Sequence, residues 1–257
     1  MQLSDKVALI TGAGSGIGKA AALLLAKEGA KIAAIEVDAD QARQTVAQIE
    51  ETGGQAIALK ADISKPRQVE TAVEKTIKKF GQIDIVFANA GINGVWAPIE
   101  ELTPEEWDAT QDVNLKGTFL TIKYASPHLK KNGGSVVVTS SVNGTRAFHG
   151  PQIAYSCTKA GQIVLVKSLA VDFAKYGVRI NAICPGAIET NIDANTEQRH
   201  TEKVGLPVKY PKGNQPLEGG KSGTADQVAH LVLFLASNSS NHITGSVIFI
   251  DGGSTLI

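Results

Sequence analysis

Cysteine is scarce in this chain: 257 residues hold two, Cys157 and Cys184, with no CxxC and no metal-ligand spacing. Without a secretion signal, two such thiols point to free cysteines in a reducing cytoplasmic compartment rather than a disulfide framework. Neither sign of charge is in excess. Lys+Arg and Asp+Glu both number 25, so the formal net charge is zero. Nucleic acids and anionic membranes usually draw a basic excess, so the balance argues against both as partners. No apolar run approaches a membrane span. The opening ten residues lack a basic stretch followed by a long apolar one, so no signal peptide is read there. His128, His149, His200, His230 and His242 show no paired ligand spacing, and no metal site is expected. A Gly-x-Ser-x-Gly elbow is missing, which disfavours a serine hydrolase.

What is present alternates regularly. Short β-branched runs at 6–11, 31–36, 55–60, 83–88, 135–139, 179–184 and 246–250 read as strands. Most are continuously apolar, as strands buried on both faces should be. Helical patterns lie between them at 17–28, 40–52, 65–80, 104–129, 152–176 and 225–235. That rhythm implies right-handed βαβ units: a Rossmann-type α/β fold with a doubly wound parallel sheet of about seven strands and helices on both faces. With no repeat and no linker, 1–257 reads as one dinucleotide-binding and catalytic domain. Gly29 and Gly177 stand where helices should stop. Thr103, Pro104 and Glu106 resemble a capping box. One stretch breaks the rhythm. Residues 190–222 are polar, rich in Gly, Pro and Lys, and longer than an ordinary connection, which suits a substrate lid.

The first strand runs into Thr11-Gly12-Ala13-Gly14-Ser15-Gly16-Ile17-Gly18. Glycines there permit a tight strand-to-helix turn and a close approach of backbone to pyrophosphate, while the helix N-terminus supplies N–H groups and a positive dipole end. A tight turn alone would also use glycines, but the placement after the first strand favours the binding loop. A Walker motif is excluded, because Ala13 and Ala20 replace its outer glycine and its hydroxyl. Glu36 ends the second strand, where a carboxylate accepts hydrogen bonds from ribose hydroxyls and repels a 2′-phosphate. NAD is therefore expected over NADP, with Asp38 a rival carboxylate for the role.

Tyr155 and Lys159 are four residues apart on a helical pattern, so both face one side. An adjacent ammonium lowers a phenol's pKa and would fit it for acid–base work on an alcohol or carbonyl. Ser141 follows a strand at the carboxyl edge, where open α/β sheets carry their sites; Ser140 competes for its role. Taken together with Asp62, Asn89-Ala90-Gly91, Asn114 and Pro185-Gly186, these motifs cover nearly the whole chain in one order. The chain resembles the short-chain dehydrogenases/reductases.

That resemblance implies a hydride-transferring, NAD-dependent oxidoreductase of secondary alcohols or carbonyls. Gly12, Ser15, Gly16, Ile17 and Gly18 would hold the pyrophosphate. Asp62 and Ile63 would contact adenine, and Asn89, Ala90 and Gly91 would flank the cofactor. Pro185, Gly186, Ile188 and Thr190 would position the carboxamide. Asn114 would kink its helix and hold a relay water. Ser141 would orient the substrate oxygen, Tyr155 would be the acid–base, and Lys159 would also bind the nicotinamide ribose. A homotetramer is implied in the same way. Candidate substrate walls are Trp96, Asn143, His149 and Gln152, with Phe148 and Arg146 nearby; their mixed character suits a small oxygenated substrate. A 3-oxoacyl-thioester reductase is one alternative reading. A non-catalytic nicotinamide-binding regulator is another, disfavoured by the complete set Asn114, Ser141, Tyr155 and Lys159.

Overall fold

The structure, a computed structural model, describes residues 1–145, 150–204 and 215–257. Its first half reads β1 (Val7–Thr11), α1 (Gly16–Lys27), β2 (Lys31–Glu36), α2 (Ala39–Glu51), β3 (Ala56–Lys60), α3 (Pro66–Phe80), β4 (Ile85–Ala88) and a short β5 (Gly94–Trp96). Then come α4 (Pro104–Gln111), α5 (Gly117–Asn132), β6 (Gly134–Thr139), α6 (Ile153–Ala174) and β7 (Val178–Pro185). The chain closes through β8 (Ile188–Glu189), β9 (Thr196–Gln198), β10 (Gly223–Thr224), α7 (Ala225–Ala236) and β11 (Val247–Ile250).

Seven strands form one parallel sheet in the order β11-β7-β6-β4-β1-β2-β3. All seven expected strands are in it. Their side chains alternate between two cores. Leu9, Val86, Val136 and Ile180 face α3, α5 and α6, while Ala8, Ile10, Phe87, Val137 and Ile183 face α1 and α7. Removing a residue such as Leu9 or Ile10 from water contributes about 1.5–3 kcal/mol. Strand order reverses between β1 and β4, and the crevice at that switch point is where such sheets bind ligands.

Local chemistry sets the helix ends. Gly29 follows α1 at φ +95°, and its N–H donates to Ala26 O at 2.9 Å. Thr103 and Glu106 form the expected capping box at α4. Thr224 and Gln227 form a second one at α7.

The helix read over 104–129 is interrupted. Residues Asp112–Lys116 form one wide, π-helical turn between α4 and α5. Such a bulge typically marks a functional position, and Asn114 sits at its centre, fully buried. Among the described residues, no helix is long and apolar enough to cross a membrane.

Candidate active site

A cleft of about 1200 Å³ runs along the carboxyl ends of β1, β2, β3, β4, β6 and β7. Gly12 enters it at φ +67°, in the left-handed region that glycine adopts without strain. Gly18 is demanded by contact: a Cβ there would lie 2.0 Å from Gly12 O and 2.7 Å from Asn89 Nδ2. The loop therefore folds back on the first turn of α1. Ser15 is the N-cap of α1, yet its side chain makes no capping bond, which leaves a hydroxyl beside the positive end of the helix. A cradle whose backbone spacing a single methyl would destroy fits a pyrophosphate.

The walls of this cradle are cross-braced. The Thr11 hydroxyl accepts from the N–H groups of Asn89 at 3.0 Å and Ala90 at 3.1 Å. The Asn89 amide donates to Thr11 O at 3.2 Å and accepts from the Thr139 hydroxyl at 3.0 Å. Glu36 lines the cleft with its carboxylate held by Gly14 N–H at 3.1 Å and Val37 N–H at 2.8 Å. Asp38, the rival acid, caps α2 by accepting from Asp40 N–H at 2.8 Å. Those bonds hold its carboxyl below the usual range. Asp62 closes a turn by accepting from Ser64 N–H at 2.9 Å, and Ile63 packs behind it against Gly117.

At the other end stand Ser141, Tyr155 and Lys159. Ser141 follows β6, and its hydroxyl accepts from Asn143 N–H at 3.1 Å on the wall of the cleft that Tyr155 shares. Tyr155 and Lys159 share the first two turns of α6, with the Lys159 Nζ 5.4 Å from the phenol ring centre. That ammonium donates to Thr139 O at 2.8 Å, and Ser140 Oγ donates to Lys159 O at 2.7 Å, so two groups at the end of β6 hold it. Ser140, the rival serine, is thereby spent on α6.

Here one expectation is corrected. Sequence spacing predicts a phenol made acidic by its lysine; the structure gives the opposite sign. Burial is the largest influence on Tyr155 and pushes its hydroxyl above the ordinary value, with the Ser141 bond pulling back. The same burial lowers Lys159 from 10.5 to about 8. Both groups are thus pressed towards their neutral forms.

Asn114 is held rather than exposed. Its side chain accepts from Ile92 N–H at 2.8 Å and donates to Ile92 O at 2.9 Å and Thr158 Oγ1 at 3.2 Å. Its carbonyl oxygen accepts from Thr118 at 2.7 Å and Gln162 at 2.8 Å, which uses both lone pairs. The kink is therefore present, and a relay water at that oxygen would have to displace a donor.

Gly12, Ser15, Gly16, Ile17, Glu36, Asp62, Ile63, Asn89, Ala90 and Gly91 all line the cleft, as do Pro185, Gly186, Ile188 and Thr190. Gly18 and Asn114 support it from behind. Of the candidate substrate residues, Trp96, Asn143 and Gln152 line it. His149, with Arg146 and Phe148, lies outside the described residues. Sequence reasoning missed Thr139 and the chain end at Ser254 and Ile257, which also reach the cleft. Thr139 holds Lys159 through its carbonyl, which any residue supplies, and braces Asn89 through its hydroxyl.

The excursion after β7 is pinned at both ends. Its two ends pair as β8 with β10, and β9 pairs with β5. Arg199 donates to Glu101 O at 2.8 Å and forms ion pairs with Glu106 and Glu197. Glu101 also takes His200 at 2.6 Å and Lys203 at 2.8 Å. Among the described residues, no cluster of three or more metal-binding side chains occurs.

A phenol that can pass a proton to or from a substrate oxygen, set beside a dinucleotide cradle, is what an oxidoreductase of alcohols and carbonyls requires. The comparisons agree. The family model described as enoyl-(acyl carrier protein) reductase matches residues 12–255. Levodione reductase from Leifsonia aquatica is 38% identical, over 98% of this chain and 95% of its own. The crystal structure of a 3-ketoacyl-ACP reductase from Sinorhizobium meliloti 1021 superposes with a TM-score of 0.94 at 49% identity, covering 97% of this chain and 99% of that one. The chain belongs to the short-chain dehydrogenase/reductase family and is an enzyme acting on CH–OH or carbonyl groups. The family binds nicotinamide cofactors. Solved neighbours include one from Burkholderia cenocepacia J2315 with NADP (TM-score 0.87, 33% identity, 99% of this chain and 100% of that). Another, from Brucella melitensis, holds NADH (TM-score 0.87, 32% identity, 98% and 99%).

Proposed function

We propose that this enzyme is an NAD-preferring reductase and dehydrogenase of compact, uncharged oxygenated substrates. The observation that carries the reading is the convergence of Ser141, Tyr155 and Lys159 on one cleft, with the Lys159 Nζ 5.4 Å from the Tyr155 ring centre. A bound nicotinamide dinucleotide supplies or accepts the hydride. Ser141 holds the substrate oxygen. Tyr155, a phenol whose burial pushes it above its ordinary value, returns a proton to the developing alkoxide, and in the oxidising direction accepts one. Lys159 holds the nicotinamide ribose. Asn114 acts as a positioning residue by fixing Ile92 and Thr158.

NAD preference rests on charge. Glu36 presents a carboxylate at the ribose end, and Lys159 is the only lysine or arginine among the described residues lining the cleft. A 2′-phosphate would meet repulsion with no counter-charge. Residues 190–222, of which 205–214 lie outside the described residues, act as the lid, with the β8–β10 pair as its base and the β5–β9 pair as its catch, excluding water on closure. Two free cysteines suit a cytoplasmic enzyme. The exposed apolar side chains Val164 and Val171 on α6 and Phe119 on α5 support a homotetramer built across these helices.

A second reading is favoured by the matched family description and the 49% identical neighbour: reduction of 3-oxoacyl thioesters. One experiment tests both. NADH and NADPH oxidation is followed at 340 nm against small ketones, diketones and acetoacetyl-CoA. Turnover of small ketones with NADH is expected. A preference for NADPH overturns the cofactor assignment, and thioester turnover without ketone turnover overturns the substrate assignment.

A further inference from the structure

We infer that the indole N–H of Trp96 reads a second oxygen on the substrate, so that the enzyme selects small molecules carrying an oxygen acceptor besides the one reduced or oxidised. The inference rests on the reaction proposed above and names the substrate feature that its site recognises.

Trp96 ends β5 and lines the cleft. Its backbone is clamped from two sides. Arg199 N–H donates to Trp96 O at 2.9 Å from the lid, and the next residue, Ala97, donates to Pro151 O at 3.2 Å, just before α6 and Tyr155. The ring is therefore placed between the lid and the helix that carries the acid–base.

Three neighbouring amide side chains of the cleft are already engaged. Asn93 donates to Thr196 Oγ1 at 2.8 Å. Asn143 and Gln152 bond one another. Trp96 Nε1 differs: it is buried and has no hydrogen-bond partner among the described residues. Indole N–H is a donor only, so what satisfies it must be an acceptor. A buried donor left unpaired is costly and rare in folded proteins, and it calls for a reason. Trp96 lines the cleft, so an oxygen on a bound substrate is an acceptor the indole lacks. A substrate without that oxygen leaves the donor unpaired, and discrimination follows from the missing bond.

The test uses 2-, 3- and 4-hydroxycyclohexanone paired with the methylcyclohexanones of the same position, which match in size and lack the acceptor. For the full-length enzyme with NADH, kcat/KM at one position is expected to favour hydroxyl over methyl by about tenfold or more, equivalent to about 1.4 kcal/mol. Trp96→Phe should bring that ratio within threefold of unity by lowering kcat/KM for the hydroxy ketone more than for its methyl partner. A hydroxyl preference that persists in Trp96→Phe overturns the inference. So does a wild-type ratio below three at every position, which needs no variant and decides the matter if Trp96→Phe fails to fold. Binding of the same ketones, read by quenching of protein-bound NADH fluorescence, separates the two claims. Selective binding without turnover would strike the reaction and leave the indole's role standing, whereas turnover without selectivity would do the reverse.

Discussion

Replacing Lys159 with methionine should stabilise the protein at neutral pH and destroy its activity. Burial lowers the Lys159 ammonium from 10.5 to about 8. At about 1.36 kcal/mol per pH unit, that displacement corresponds to about 3 kcal/mol against the folded state whenever the group is protonated in both states. A base whose folded value lies below its unfolded value binds fewer protons when folded. Wild-type stability therefore rises with pH between about 8 and 10.5; the penalty is complete below that window and gone above it. Lys159→Met keeps a straight chain and removes the charge. It also strips Thr139 O of its 2.8 Å donor, a loss of about 1 kcal/mol. A net gain of about 2 kcal/mol at pH 7 remains, or about 4–8 °C in Tm for a chain of this length. By pH 10.5 the advantage should vanish and turn into a small deficit. Thermal unfolding of both proteins at pH 7 and pH 10.5, at one fixed concentration because assembly shifts midpoints, measures this. A Tm difference that is the same at both pH values, or negative at pH 7, refutes the reasoning.

Gly18→Ala drives a methyl to within 2.0 Å of Gly12 O, so the loop must shift by about 1 Å; NADH affinity by calorimetry should fall about 100-fold, against a small change for Gly150→Ala, which meets nothing within 4 Å. Tyr155→Phe should cut kcat by at least about 100-fold and leave the NADH dissociation constant within threefold; turnover near the wild-type level would remove Tyr155 from its role. Arg199→Gln removes the contacts of the proposed lid with Glu106, Glu197 and Glu101 O. It should raise substrate KM about tenfold with kcat little changed, the loss of a linked network being worth about 1–2 kcal/mol. It should also speed proteolysis between 190 and 222, and adding NAD should slow that cutting in the wild type. Equal cleavage in all four conditions would mean that the segment is no lid.

The strands were legible because a strand buried on both faces is mostly apolar, as Val7–Ile10 of β1 and Val136–Val138 of β6 are. The glycine turn was legible because only glycine tolerates what Gly12 and Gly18 undergo. Glu36 could not be told from Asp38 until Asp38 was seen capping α2. The pairs β5–β9 and β8–β10 were invisible for a different reason. They are two or three residues long, and their backbone bonds exist only because distant segments meet.

Residue spacing by itself determined that Tyr155 and Lys159 share a helix face, that a phosphate cradle follows β1, and that the sheet is parallel. These follow from helix and strand geometry, which is local. Only tertiary structure decided which way that pair is shifted, because desolvation depends on what the whole fold packs around a group. It also decided which carboxylate faces the cleft and which serine is engaged by Lys159 O, and it left the Trp96 N–H buried without an acceptor among the described residues, since each of these turns on neighbours far away in the chain.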